Sequence, residues 1–115
     1  MKKYTLYFLI DKKLNKGQRT AQAAHAAVVI GRDHSVPEGH YAESWGGSRK
    51  AFNEWLNDPK LVCLVGDTNQ IEQFAAKCRF YTTDFVDSDF EVTTYAVGPV
   101  PRGEGREMFA GLRLA

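Results

Sequence analysis

The residues best suited to chemistry gather between Asn15 and Ala27, in the segment NKGQRTAQAAHAA. Lys16 sets an ammonium beside Gly17, a residue without a side chain. A helix starting there presents unpaired N–H groups and a partial positive charge, so the pair suits an anion. Asn15 and Gln18 have the types and spacing of the two ends of a capping box, which places Lys16 and Gly17 in the first turn. Gln18, Gln22 and His25 follow at intervals of four and three and so share one helix face. Alanines at 21, 23, 24, 26 and 27 let that helix approach a sheet closely. Each polar residue also has a plainer reading: Lys16 as a solvated lysine, Gln22 as a side chain bonded to backbone, His25 as a satisfied, partly buried ring.

Several familiar chemistries are set aside. Gly17 does not begin the spacing of a Walker loop, and no GxGxxG opens a helix after a strand. His25, His34 and His40 lack the i, i+4 pairing of helical metal ligands, and there is no GxSxG. No metal and no cofactor are expected. Cys63 and Cys78 form neither a disulfide framework nor a zinc spacing; Cys63, inside LVCLV, reads as a buried thiol.

These residues must be held by a single domain, since 115 residues suffice for a core without staples. A 43% hydrophobic and 25% charged composition is that of a soluble globular protein. Net charge is only +1, but up to residue 20 Lys2, Lys3, Lys12, Lys13, Lys16 and Arg19 face Asp11 alone, which suggests a basic rim and an anionic partner. The plain alternative is a solvated lysine-rich surface. Residues 4 to 10 are too short and too mixed for a membrane span or signal peptide, so no membrane partner is expected and the expected location is the cytoplasm.

The pattern predicts a strand over 4–10, a helix from about Gln18 to Gly31, and an exposed loop over 33–47. A second helix is predicted over 48–56, with Phe52, Trp55 and Leu56 on one face and Asp58-Pro59 as its stop. The apolar run 60–65 reads as a strand covered on both faces. Thr68 is the expected cap of a third helix ending near Arg79. Strands are predicted over 80–86 and 92–97, with an acidic turn at 87–89, a loop over GPVPRGEG, and a short helix and edge strand at the end. This order predicts an α/β fold, three layers α/β/α around a mixed sheet of about four strands.

In this register the sequence resembles the class II peptidyl-tRNA hydrolases, small α/β enzymes typical of archaea and eukaryotes. That family follows its first strand with an aspartate, then Lys-Gly-Lys, a small-residue pair, Gln, two small residues and His-Ala. Asp11, Lys16, Gly17, Ala21, Gln22, His25 and Ala26 stand in that order here. Trp55, Thr93 with Gly98-Pro99, and the terminal FAGLRLA extend the resemblance over essentially the whole chain. The sequence departs from the pattern at Gln18, in place of the second motif lysine, and at Thr20. The family's Asp-Ala-Gly-x-Thr is not present as such; Asp84 in TDFVDSD is taken as its aspartate and Ser88 as its threonine.

The resemblance implies hydrolysis of the ester joining a peptide to the 3′ end of tRNA. In the expected mechanism Asp84, with His25 as rival, activates water, and Lys16 meets the oxyanion or holds a phosphate. Gln22 and Thr93 position the ester, Asp11 keeps Lys16 in place, and Asp11, Gly17 and Ser88 count as further substrate contacts; the plainer reading of Asp11 is that it only fixes the loop before Lys16. Lys12, Lys13 and Arg19 are the expected tRNA contacts, and a homodimer is an admissible assembly. Two other readings stay open: an inactive relative that binds tRNA or another phosphate ligand, and a protein-binding module using the 33–47 loop through Tyr41 and Trp45.

Overall fold

Alternating aromatic and branched residues build β1 (Tyr4–Asp11), and Leu6, Phe8, Leu9 and Ile10 are all at most 1% exposed. A computed structural model of the chain describes residues 3–34, 48–86 and 91–114. β1 leads into α1 (Lys16–His34), then α2 (Ser48–Asn57), β2 (Lys60–Gly66), α3 (Thr68–Lys77), β3 (Thr82–Val86), β4 (Val92–Pro101), α4 (Glu104–Met108) and β5 (Arg113–Leu114). The sheet runs β3-β4-β1-β2-β5 and is mixed: β1 and β2 are parallel and the other neighbours antiparallel. It has five strands where about four were expected; the fifth is the edge strand expected at the end, β5, whose Arg113 and Leu114 pair with Val65 and Leu64 of β2.

Alternation along the strands makes two cores. Leu6, Phe8, Ile10, Val65 and Ala96 face α1 and α2, meeting Ala26, Ile30, Phe52 and Trp55. Leu9, Leu64 and Val97 face α3 and α4, meeting Ile71, Phe74 and Phe109. Each large apolar side chain buried this fully contributes roughly 1.5–3 kcal/mol. The three-layer expectation therefore holds, with helices on both faces.

Several boundaries differ from the sequence reading for identifiable reasons. α1 runs past Gly31 to His34, whose buried ring stacks on Phe52 at 4.9 Å and bonds to the Gly98 carbonyl at 2.9 Å through Nε2. The cap of α3 is Asp67, not Thr68. The Asp67 carboxylate accepts from the Gln70 N–H at 2.8 Å, and the Gln70 side chain accepts from the Asp67 N–H at 3.0 Å. β4 continues through the GPVP expected as loop, because a bulge opposite Leu6 absorbs Gly98 and the cis Pro99 and returns Val100 and Pro101 to pair with Thr5 and Tyr4. β2 is not covered along its whole length: Leu61 is 51% exposed, and only Leu64 to Gly66 are buried. Leu56, expected on the buried face of α2, is likewise exposed.

Candidate functional site

The parallel strands β1 and β2 end side by side, Asp11 opposite Gly66, and the helices that follow them leave to opposite faces of the sheet. Such a divergence opens a crevice at the carboxyl ends of the strands. The Lys12 N–H donates to the Gly66 carbonyl at 2.9 Å and ties the two exits together. Asp11 is 1% exposed and does the rest of the fixing. One of its oxygens accepts from the Lys13 N–H at 3.0 Å; the other accepts from the Thr68 hydroxyl at 2.6 Å, at the start of α3. Asp11 thus forms the turn that orients the loop carrying Lys16, the positioning role expected of it beside substrate contact.

The N-terminus of α1 has the expected capping box. The Asn15 N–H donates to Gln18 Oε1 at 2.9 Å, and the Gln18 N–H donates to Asn15 Oδ1 at 2.8 Å. Lys16 and Gly17 lie exposed in the first turn. A Cβ on Gly17 would meet nothing closer than the Asn15 side-chain oxygen at 3.6 Å, so packing does not demand the glycine; its absent side chain leaves the helix end open to a ligand. Gln18, which stands where the resembled family has a lysine, is used up by the cap.

Two of the three expected tRNA contacts are otherwise engaged. Arg19 folds back onto the loop, donating from Nε to the Leu14 carbonyl at 2.8 Å and from Nη2 to the Lys12 carbonyl at 2.9 Å. Lys13 pairs with Glu91 at 2.7 Å and lies 3.9 Å from Asp11. Lys3 belongs to the opposite end of β1, where it pairs with Asp58. Among the described residues the basic rim reduces to Lys12 and Lys16; Lys2 lies outside them.

Polar atoms are buried beneath this edge. Thr93 and Thr94 are both 0% exposed, and their hydroxyls, like the side-chain oxygen of Gln22, have no hydrogen-bond partner among the described residues. Leaving such a group unmatched costs about 1–3 kcal/mol, so each of the three is open to a partner beyond the described protein atoms. Thr94 was missed by the sequence reading. It pairs with Ile10 of β1 and Phe85 of β3, which puts it on the α1 side of the sheet. A polar residue at a β4 position whose strand neighbours face the α1 core was the available signal.

The expected catalytic residues do not converge. His25 is nine residues beyond Lys16, about 13 Å along the helix and half a turn around it. Its exposed ring rests on Phe85 at 5.0 Å. Asp84 precedes Phe85 in β3 and so points to the other face of the sheet, where it lines a depression with Glu72, Ala76 and Tyr95. The Tyr95 hydroxyl is pushed up by burial and then by the charges of Glu72 and Asp84. Asp84 and His25, taken as rivals for one role, therefore occupy opposite faces and cannot act on one water together.

Ser88 lies outside the described residues, as do the acidic turn at 87–89 and residues 35–47 of the loop, with His40, Tyr41 and Trp45. Among the described residues no cluster of three His, Cys, Asp or Glu gathers that could hold a metal, and no helix is long and apolar enough to cross a membrane. Cys63 and Cys78 are free thiols; burial pushes the Cys63 thiol up, away from reactivity. Compared with known proteins, the chain matches no family model and no curated protein.

Proposed function

We propose that this protein hydrolyses the ester bond of peptidyl-tRNA, working in the cytoplasm where that substrate is met. The observation that carries the reading is the capped, exposed N-terminus of α1, with Lys16 and Gly17, at the sheet end where Gln22, Thr93 and Thr94 bury unmatched polar atoms. The Lys16 ammonium and the free N–H groups of the first turn receive the phosphate of the terminal adenosine, and the ester lies away from them, toward whichever group activates water. Gln22 and Thr93 hold the ester, Asp11 keeps the loop in place, and Lys12 meets backbone phosphate. Water activation falls to Asp84 or to His25, as alternatives.

A second reading, a non-catalytic domain that binds tRNA or another phosphate ligand, is favoured by one specific observation: His25 is far along the helix from Lys16, and Asp84 faces away from His25. Turnover of a defined peptidyl-tRNA separates the two. The hydrolase reading expects wild-type turnover and a drop in kcat of at least about a hundredfold in either Asp84→Asn or His25→Ala, with Lys16→Ala impaired in KM. Absent turnover with tRNA binding that weakens steeply in salt would establish the second reading. Absence of both would retire the two together.

A further inference from the structure

We propose that the groove between the second sheet face and α4 binds an amphipathic anion, a hydrocarbon or aromatic body ending in a carboxylate. The cavity has a volume of about 680 Å³ and lies at the opposite end of β1 from Asp11. From Thr5, on its floor, to Asp11 is about 20 Å along the strand. The groove extends to Leu64, opposite Leu9, but on the α3 and α4 face of the sheet, away from α1 and Lys16.

Its floor and walls are apolar: Tyr7, Val62 and Leu64 from the sheet, with Phe109 and Leu112 beside α4. Gly105 packs so tightly on Tyr7 that a Cβ there would fall 2.2 Å from the phenol ring, which fixes the tyrosine as part of the floor. The rim carries Lys60, Arg102 and Arg106, and among the described residues no Asp or Glu lines the cavity. Neither Lys60 nor Arg106 makes an ion pair among the described residues. Arg102 is oriented by Asp58, donating from Nη1 to its carboxylate and from Nη2 to its carbonyl, each at 3.0 Å. Its Nε–H is buried and has no acceptor among the described residues. A carboxylate placed at the rim meets the exposed ammonium of Lys60 and guanidinium of Arg106, with Arg102 held beside them by Asp58.

The body of the ligand is argued from what the groove lacks. A peptide would bring an amide every few ångströms, each needing a partner once desolvated. Apart from the three cations, the only polar side chains lining the groove among the described residues are Thr5, itself 2% exposed, and Tyr7. A hydrocarbon body meets no such penalty.

Calorimetric titration of the full chain with decanoate, below its micelle concentration, tests this. The expected result is saturable 1:1 binding with a Kd on the order of 100 μM or tighter, and amide NMR shifts confined to residues around Tyr7, Val62, Leu64 and Phe109. Lys60→Ala combined with Arg106→Ala alters exposed side chains only and should weaken decanoate roughly tenfold. Decyltrimethylammonium, with the same tail and the opposite charge, should not compete. The proposal is overturned if decanoate does not saturate by about 1 mM, if the double variant binds unchanged, if the ammonium amphiphile binds equally, or if the shifts map elsewhere.

Discussion

Replacing Asp11 by alanine is the sharpest test of how the Lys16 loop is held. The carboxylate is buried and accepts two hydrogen bonds that join three elements: the end of β1, the loop through Lys13, and α3 through Thr68. Hydrogen bonds to a charged group are worth about 1.5–3 kcal/mol each when both ends are buried. Here the donors belong to exposed residues that can turn to water, so the lower end applies and the pair is worth roughly 2–4 kcal/mol in total. The Lys13 ammonium, 3.9 Å away and half exposed, adds little. At roughly 4 °C per kcal/mol for a chain of this size, Asp11→Ala should lower Tm by about 10 °C.

Asp11→Asn should cost only about 1 kcal/mol, because the amide oxygen still accepts from Lys13 and the amide nitrogen can donate to the Thr68 hydroxyl. A urea-unfolding cycle with Thr68→Val isolates the second bond, and a coupling of about 1 kcal/mol is expected. An Asp11→Ala protein within about 0.5 kcal/mol of wild type, or a cycle without coupling, would refute the reasoning.

Three further outcomes follow from other parts of the fold. Burial holds the His34 imidazole below its usual range, against the opposing pull of the Gly98 carbonyl and Asp33. The unfolded chain then binds a proton that the folded one does not, so stability should be intact above about pH 6.5 and fall as pH drops toward the lowered value, by about 1.4 kcal/mol per unit of depression. Urea midpoints from pH 8 to 5 should show this in wild type and lose it in His34→Gln; a flat wild-type profile would refute it. Gly98 has φ +127°, and a Cβ there would sit 3.0 Å from the Thr5 carbonyl oxygen, so Gly98→Ala should cost on the order of 1–3 kcal/mol, read by thermal melting. Asn15→Ala removes one arm of the α1 capping box and should cost about 1 kcal/mol, with the first turn losing amide-exchange protection; unchanged protection from Lys16 to Gln18 would show that the cap is idle.

The elements were legible in the sequence wherever local chemistry decided them. Asn15 and Gln18 form the box their spacing implied, and the runs at 4–10 and 60–65 are strands because aromatic and branched residues fit a pleated, covered surface. Local patterns failed where a distant partner overrode them. Gly31 reads as a helix stop, yet His34 is drawn onto Phe52 and the Gly98 carbonyl and carries α1 further. GPVP reads as a loop, yet pairing with Tyr4 and Thr5 keeps it in β4. The candidate site was legible as a set of residue types and only partly as a place. Periodicity correctly put Gln18, Gln22 and His25 on one face, but the same 100° step sends Lys16 to the far side of His25. The sign of a strand position is equally decisive: Asp84 and Phe85 are neighbours in sequence and lie on opposite faces of the sheet.

On the two proposals made above, the distribution of charge would suit the two ends of β1 to different ligands. At the Asp11 end the nearby acids neutralise what a count of lysines promised: Glu91 takes Lys13, while Glu72 and Asp84 border the same α3 face around Tyr95. What stays positive there is the α1 side, with Lys16, Lys12 and the helix terminus, so a polyanion approaching this edge is steered to one face of the sheet. At the Thr5 end the cations surround apolar floor instead of unmatched hydroxyls. Attraction at the first end is a matter of phosphate charge and released counterions and falls steeply with salt. Binding at the second gains most from buried hydrocarbon, which salt barely weakens. If both proposals hold, occupants of the two ends should be separable by ionic strength alone, since the chemistry of each would be set by what its charged residues stand beside.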